Sequence, residues 1–106
     1  PRTEESGIIT AGPIVIDTAA RSVSVRGSAV VLTNKEYELL LFLARRPNQV
    51  FSREDLYEMI WGLESMGDNI TVAVHVNRLR EKLEEDSAKP QLIQTVWGVG
   101  YRLNII

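Results

Sequence analysis

Residues 71 to 80 read TVAVHVNRLR. Placed at 100° steps around a helix, Thr71, Val74, Asn77, Arg78 and Glu81 fall on one side, and Val72, Val76, Leu79 and Leu83 on the other. His75 and Lys82 lie on one shoulder. The apolar stripe has a simple meaning: it faces a core. For the polar side the bland explanation is a solvated helix face, but water gives no use for the β-branched, apolar Val74. A DNA major groove does. Valine can touch a thymine methyl, arginine can bond guanine O6 and N7, and an amide such as Asn77 can read adenine or bond a phosphate. Thr71, at the helix N-terminus, is placed to offer its hydroxyl to a phosphate with the helix dipole behind it.

Other chemistries find little support. His75 is the only histidine and there is no cysteine, so a zinc site is poorly provided for and disulfides are excluded. No Ser/His/Asp arrangement or glycine-rich phosphate loop is evident, and GVG at 98–100 is too short to be one. No enzyme activity, metal or cofactor is expected. His75 reads as a polar group on the helix shoulder, suited to a phosphate.

Two further stretches carry exposed-looking aromatics. In TVWGVGYRL, Gly98 and Gly100 permit a tight reversal, and Trp97 beside it should be largely exposed. Such a hairpin can pack on the core through Val96, Tyr101 and Leu103. An exposed tryptophan at its tip suits a wing resting on a sugar-phosphate backbone or entering a minor groove. In WGLESMGD, Trp61 either gives its indole N–H to a phosphate or belongs to the core. The loop from Leu63 through Glu64, Ser65 and Met66 to Asp68 is acidic and apolar. Such loops are usually linkers, but one beside a DNA-reading helix could touch another protein.

These residues need elements to hold them. Residues 8–32 contain four short Val/Ile-rich segments broken by Gly, Pro and Asp, too closely spaced for helical crossovers, so an antiparallel sheet is expected. TNKEYELLLFLARRP opens with Thr33 and Glu36 at capping-box spacing, carries Tyr37, Leu40, Leu41 and Ala44 as a stripe, and stops at Pro47. SREDLYEMIWG opens with Ser52, turns Leu56, Met59 and Ile60 inward, and stops at Gly62. Asp68 or Asn69 caps a third helix from about Ile70 to about Asp86, whose last turns would carry Glu81, Glu84, Glu85 and Asp86. The tail forms the hairpin.

The 106 residues suit one domain, with a linker remnant over 1–7 and the folded unit over 8–106. No apolar run approaches the roughly 20 residues that span a bilayer, and the absence of cysteine suits a reducing cytoplasm. Net charge is −2, but the distribution is uneven: residues 71–106 hold five Lys/Arg against four Asp/Glu. Any basic face is local, at the start of the third helix and around Arg102.

Taken together, LTNKEYELLLFLA, FSREDLYEMIWG, TVAVHVNRLREKLE and IQTVWGVGYRL, in this order and spacing, resemble the OmpR/PhoB-type winged-helix DNA-binding domain of bacterial two-component response regulators over residues 8–105. The resemblance implies an α+β fold: a winged helix-turn-helix with an N-terminal four-stranded antiparallel sheet, three helices and a C-terminal wing. It implies a third helix in the major groove and a wing at the adjacent minor groove of double-stranded DNA. By position, Val74 and Arg78 fall where the family meets bases. Trp61, Thr71, His75, Asn77, Arg80, Thr95 and Tyr101 fall where it meets phosphates. Trp97, Gly98 and Arg102 belong to the wing. The loop of Leu63, Glu64, Ser65, Met66 and Asp68 corresponds to one that touches RNA polymerase. Head-to-tail pairing on direct-repeat half-sites and a bacterial cytoplasmic setting are implied as well, while the phosphorylatable receiver domain lies outside this chain. Ala73 and Asn77 depart from the family's frequent acidic and basic residues, which leaves the charge balance similar and bears on base preference. The competing reading is a winged-helix module that binds protein, favoured by the low overall charge.

Overall fold

The computed structural model describes residues 7–62 and 67–105. Four short strands come first: β1 (Ile8–Ala11), β2 (Ile14–Asp17), β3 (Ser22–Val25) and β4 (Ser28–Val30). They form an antiparallel meander in the order β1-β2-β3-β4. The alternation in SVSV sets which side is inward. Ile16 pairs with Val23 and Ile14 with Val25, and all four side chains are buried on one face. Between β3 and β4, Arg26 and Gly27 both have positive φ (50° and 82°), the backbone of a type I′ hairpin turn.

Three helices follow: α1 (Asn34–Ala44), α2 (Arg53–Ile60) and α3 (Ile70–Leu83). α1 has its capping box, with the Glu36 N–H donating to Thr33 and the Thr33 N–H donating to the Glu36 carboxylate. Ser52 caps α2 by accepting from the Asp55 N–H. At α3 the cap is Asp68 rather than Asn69: Asp68 Oδ1 accepts from the Ile70 N–H at 3.1 Å, while Asn69 donates its side-chain amide to Glu54. Val72, Val76, Leu79 and Leu83 are fully buried, at roughly 1.5–3 kcal/mol each. With the sheet's inner face, the apolar sides of α1 and α2, and Leu92, Ile93 and Leu103, they make one core.

The tail forms a two-stranded sheet of β5 (Ile93–Val96) and β6 (Gly100–Leu103). Leu103 is buried as expected and Tyr101 packs at the core's edge, but it is Ile93, and not the expected Val96, that anchors β5 in the core. A backbone bridge between Phe51 and Tyr101, with both N–H···O bonds at 2.9 Å, fastens β6 to the segment before α2.

Three further expectations need correction. α3 ends at Leu83, not near Asp86, and Glu84 is its extended C-cap, so Glu84, Glu85 and Asp86 do not lie in the helix. Their acidity left the helical reading open; what ends the helix is a non-local use of the Glu84 carboxylate. Met59 does not face inward but is 62% exposed. Tyr57 shares the inner side with Leu56 and Ile60, and its bulk centres the stripe away from Met59. Gly100 is not needed for the reversal. Gly98 supplies the positive φ, 78°, at the position after Trp97 in a turn closed by the Val99 N–H on the Val96 carbonyl. Gly100 is needed for space: a Cβ there would overlap the Phe51 carbonyl and sit 2.6 Å from its carbon.

Candidate nucleic-acid interface

α3 presents the face that its sequence spacing indicates. Val74, Asn77, Arg78 and Glu81 are exposed, Thr71 and His75 half-buried. The capping and the buried stripe fix its rotation, so these residues cannot turn inward without removing Val72, Val76 and Leu79 from the core.

The cations around α3 differ in their commitments. Lys82 donates to the buried Glu36 carboxylate at 2.6 Å. Arg26 donates to the Leu83 carbonyl at 2.8 Å, neutralising the C-terminal end of the α3 dipole, with Glu85 3.7 Å away. Arg80 donates through Nε to the Ile93 carbonyl at 3.0 Å and through Nη2 to Thr95 Oγ1 at 2.8 Å. Its guanidinium also lies over the Tyr101 ring, 5.8 Å from the centroid. Burial pulls the Arg80 pKa below the ordinary arginine value, against the opposing effects of Tyr101 and Glu84; arginine stays charged at any working pH. Arg78 alone among the cations of α3 makes no hydrogen bond or ion pair within the described residues. Its guanidinium is free for an external acceptor.

Three of the singled-out residues meet at the start of α3. Trp61, the C-cap of α2, stacks on Tyr57 with ring centroids 5.8 Å apart and meets the His75 ring edge-on at 4.9 Å. It is half-buried, so it packs at the core's rim with part of the indole outside. His75 Nδ1 lies 2.9 Å from the Thr71 carbonyl. A carbonyl can only accept, so Nδ1 carries the proton there. Nε2 is then the atom left for an outside partner.

A second group forms where α3 meets the hairpin: Arg80 bonds Thr95 and lies over Tyr101, and Thr95 and Tyr101 face each other in the register of β5 and β6. Arg102 lies on β6 and gives Nε and Nη2 to Gln94 Oε1 at 3.2 and 3.0 Å. At the hairpin tip Trp97 is 90% exposed. Asp68 caps α3, while Leu63, Glu64, Ser65 and Met66 lie outside the described residues. Among the described residues no helix is long and apolar enough to cross a membrane.

One residue escaped the sequence reading. Arg53, the first residue of α2, lines an open cleft of about 460 Å³ with Glu54 and residues 95–101 of the hairpin. It makes no hydrogen bond or ion pair within the described residues. Its place directly after the Ser52 cap was the available signal, since a helix start favours anions. That the hairpin would lie across from it was not visible.

The family described as transcriptional regulatory protein, C terminal, matches residues 27–103. The transcriptional regulatory protein SrrA of Staphylococcus aureus is 50% identical over 91 residues, covering 85% of this chain and 38% of that protein. The response regulator DrrB, an OmpR/PhoB homologue from Thermotoga maritima, superposes with a TM-score of 0.84 at 36% identity over 92% of this chain and 44% of that one. The DNA-binding domain of RstA from Klebsiella pneumoniae, crystallised with the RstA box, superposes with a TM-score of 0.81 at 31% identity, over 92% of this chain and 96% of that one. The chain spans less than half the length of the curated relatives it matches. With a meander sheet, three helices and a C-terminal hairpin in the same order, this chain belongs to the C-terminal family of transcriptional regulatory proteins, as a winged-helix domain of the OmpR/PhoB type.

Proposed function

We propose that this domain binds double-stranded DNA sequence-specifically, as the effector domain of a two-component response regulator that controls transcription in the bacterial cytoplasm. The observation that carries the reading is the outer face of α3: Arg78 stands exposed and uncommitted beside an exposed Val74, while the neighbouring cations Arg80 and Lys82 are bound within the protein. In this reading α3 enters the major groove, with Arg78 bidentate to a guanine and Val74 against a thymine methyl. Trp61, Thr71, His75, Asn77, Arg80, Thr95 and Tyr101 line the phosphates, joined by Arg53, and Trp97, Gly98 and Arg102 bring the wing to the minor groove. RstA, 31% identical, was crystallised with its DNA box, which supports the same assignment here.

The finer parts rest on the family. They are head-to-tail pairing on direct repeats, an upstream receiver domain, and RNA polymerase as partner of the loop of Leu63, Glu64, Ser65, Met66 and Asp68. No metal or cofactor enters the reading.

The net charge of −2 favours a second reading, a module that binds protein. Selection of bound sequences from random duplexes separates the two. A recovered consensus whose binding weakens steeply with salt supports DNA recognition; recovery of no sequence above background sinks it.

A further inference from the structure

Arg80 and Glu84 sit one helical turn apart at the end of α3, and both reach the same residue of β5, Ile93. The Glu84 carboxylate is buried. Its Oε1 accepts from the N–H groups of Gln91 at 2.8 Å and Leu92 at 3.0 Å, and its Oε2 from Leu92 at 2.9 Å and Ile93 at 2.8 Å. Arg80 takes the other side of Ile93, donating to its carbonyl at 3.0 Å, and goes on to Thr95 Oγ1 at 2.8 Å. Ile93 is thus held at its N–H by one side chain of α3 and at its C=O by another. The linking residues 84–92 form no helix or strand. The far strand of the hairpin is fastened elsewhere, through Tyr101 to Phe51 and through Ile105 to the Asn48 side chain.

We infer that Arg80 and Glu84 form a clamp that sets the angle between the recognition helix and the wing, and that Glu84 is a positioning residue for DNA binding although it lies away from the DNA-facing side. This rests on the DNA-binding reading above. A helix in one groove and a wing in the next bind as two linked contacts. The second adds affinity only while the geometry holds it at the right place. Charge-assisted bonds from three backbone N–H groups to a buried carboxylate are short and directional, and they hold Gln91 and Leu92, which lead into β5, and Ile93, its first residue. Glu84→Gln keeps the volume but turns an NH2 group toward N–H donors, so at least one of them loses its acceptor. The Phe51 bridge and the buried Leu103 keep the hairpin on the domain. What is lost is its fixed relation to α3.

The test is a cycle of Trp97→Ala in the wild-type and Glu84→Gln backgrounds, read as affinity for the selected duplex. Trp97→Ala should weaken wild-type binding about 5–30-fold, Glu84→Gln should do the same alone, and Trp97→Ala should add less than about twofold on top. Glu84→Gln binding like wild type, or Trp97→Ala costing the same in both backgrounds, overturns the clamp. Glu84→Asp, which shortens the reach and keeps the charge, serves for the same cycle if the amide variant fails to fold. Residual dipolar couplings on the free protein separate this from a failure of the DNA reading. Amides 93–96 should hold one orientation relative to 71–83 in wild type and an averaged one in Glu84→Gln. Unchanged couplings overturn the clamp whether or not DNA binds.

Discussion

Arg78 and Lys82 sit four residues apart on α3, yet their charges have opposite destinations. Arg78 has no partner within the described residues, so its removal should cost the fold little and recognition much. Arg78→Ala is expected to lose about 1–3 kcal/mol on the selected site and to flatten discrimination at one base pair. Equal losses on selected and random duplexes would reduce Arg78 to a phosphate contact. Lys82 instead serves the fold. It is 35% exposed and meets a Glu36 carboxylate that is almost wholly enclosed. Burial acts to raise the Glu36 pKa, but the hydrogen bonds from Lys82 and from the Thr33 N–H, with the Lys82 charge, outweigh it and hold it below the ordinary carboxylate value. A lowered folded pKa gives stability that is complete above the unfolded pKa and lost as pH falls through the folded one. Lys82→Met should therefore destabilise by about 1–3 kcal/mol at neutral pH. The gap from wild type should close as acid protonates Glu36, and urea titrations across the acid range would show it. A gap independent of pH would mean that Lys82 contributes packing and not charge.

The hairpin shows how two glycines of one motif do different work. Gly98 has a positive φ and nothing within 4 Å of an added Cβ. Asparagine tolerates that backbone region, so Gly98→Asn should cost under about 1 kcal/mol. Gly100 has backbone, not a flexible side chain, in the place of its missing Cβ. Gly100→Ala must push β6 off Phe51 and strain both bridge bonds, an overpacking expected to cost about 1–3 kcal/mol or more. Thermal melts of the two variants decide it: equal losses would show that Gly100 too serves only the turn. From the sequence these glycines looked alike, because spacing reports a reversal and not what packs beside it. The same limit runs through the molecule. The strands, the caps at Thr33 and Ser52 and the inward stripe of α3 were legible, since each is written in residues near one another along the chain. The end of α3 was not, because Glu84 closes on Gln91–Ile93 across an irregular link. The split of cations into free and committed was not either. Arg80 with Thr95, and Lys82 with Glu36, pair over 15 and 46 residues of chain. The outward set on α3 came from helix period, and the roles proposed for it toward bases and phosphates rest on the family pattern, beyond what period alone carries.

Across the whole molecule the question is how a chain of net charge −2 meets a polyanion. The domain measures 36 × 32 × 23 Å. At physiological salt the Debye length is about 8 Å, so DNA on the α3 face senses the local cations and little of the acidic remainder. At about 0.01 M it is about 30 Å, comparable with the molecule, and the whole net charge counts. Arg53 and Arg80 are the cations proposed to neutralise phosphates, roughly two in all. The logarithm of the binding constant should then fall against the logarithm of salt with a slope near −2, at about −0.9 per neutralised phosphate. Going from about 50 to about 200 mM salt should weaken specific binding on the order of 10-fold. Below about 50 mM the plot should flatten, as repulsion from the acidic remainder comes into range. Random duplexes should bind near the weak end of the usual non-specific range, with dissociation constants around 10⁻⁴ M at physiological salt. Fluorescence anisotropy over this salt range tests all of it on one labelled duplex. A slope near −6 or steeper that stays straight to low salt would mean that more cations face the phosphates than these, so the committed pairs must open on binding. A slope near zero would remove phosphate neutralisation, and with it the proposed interface.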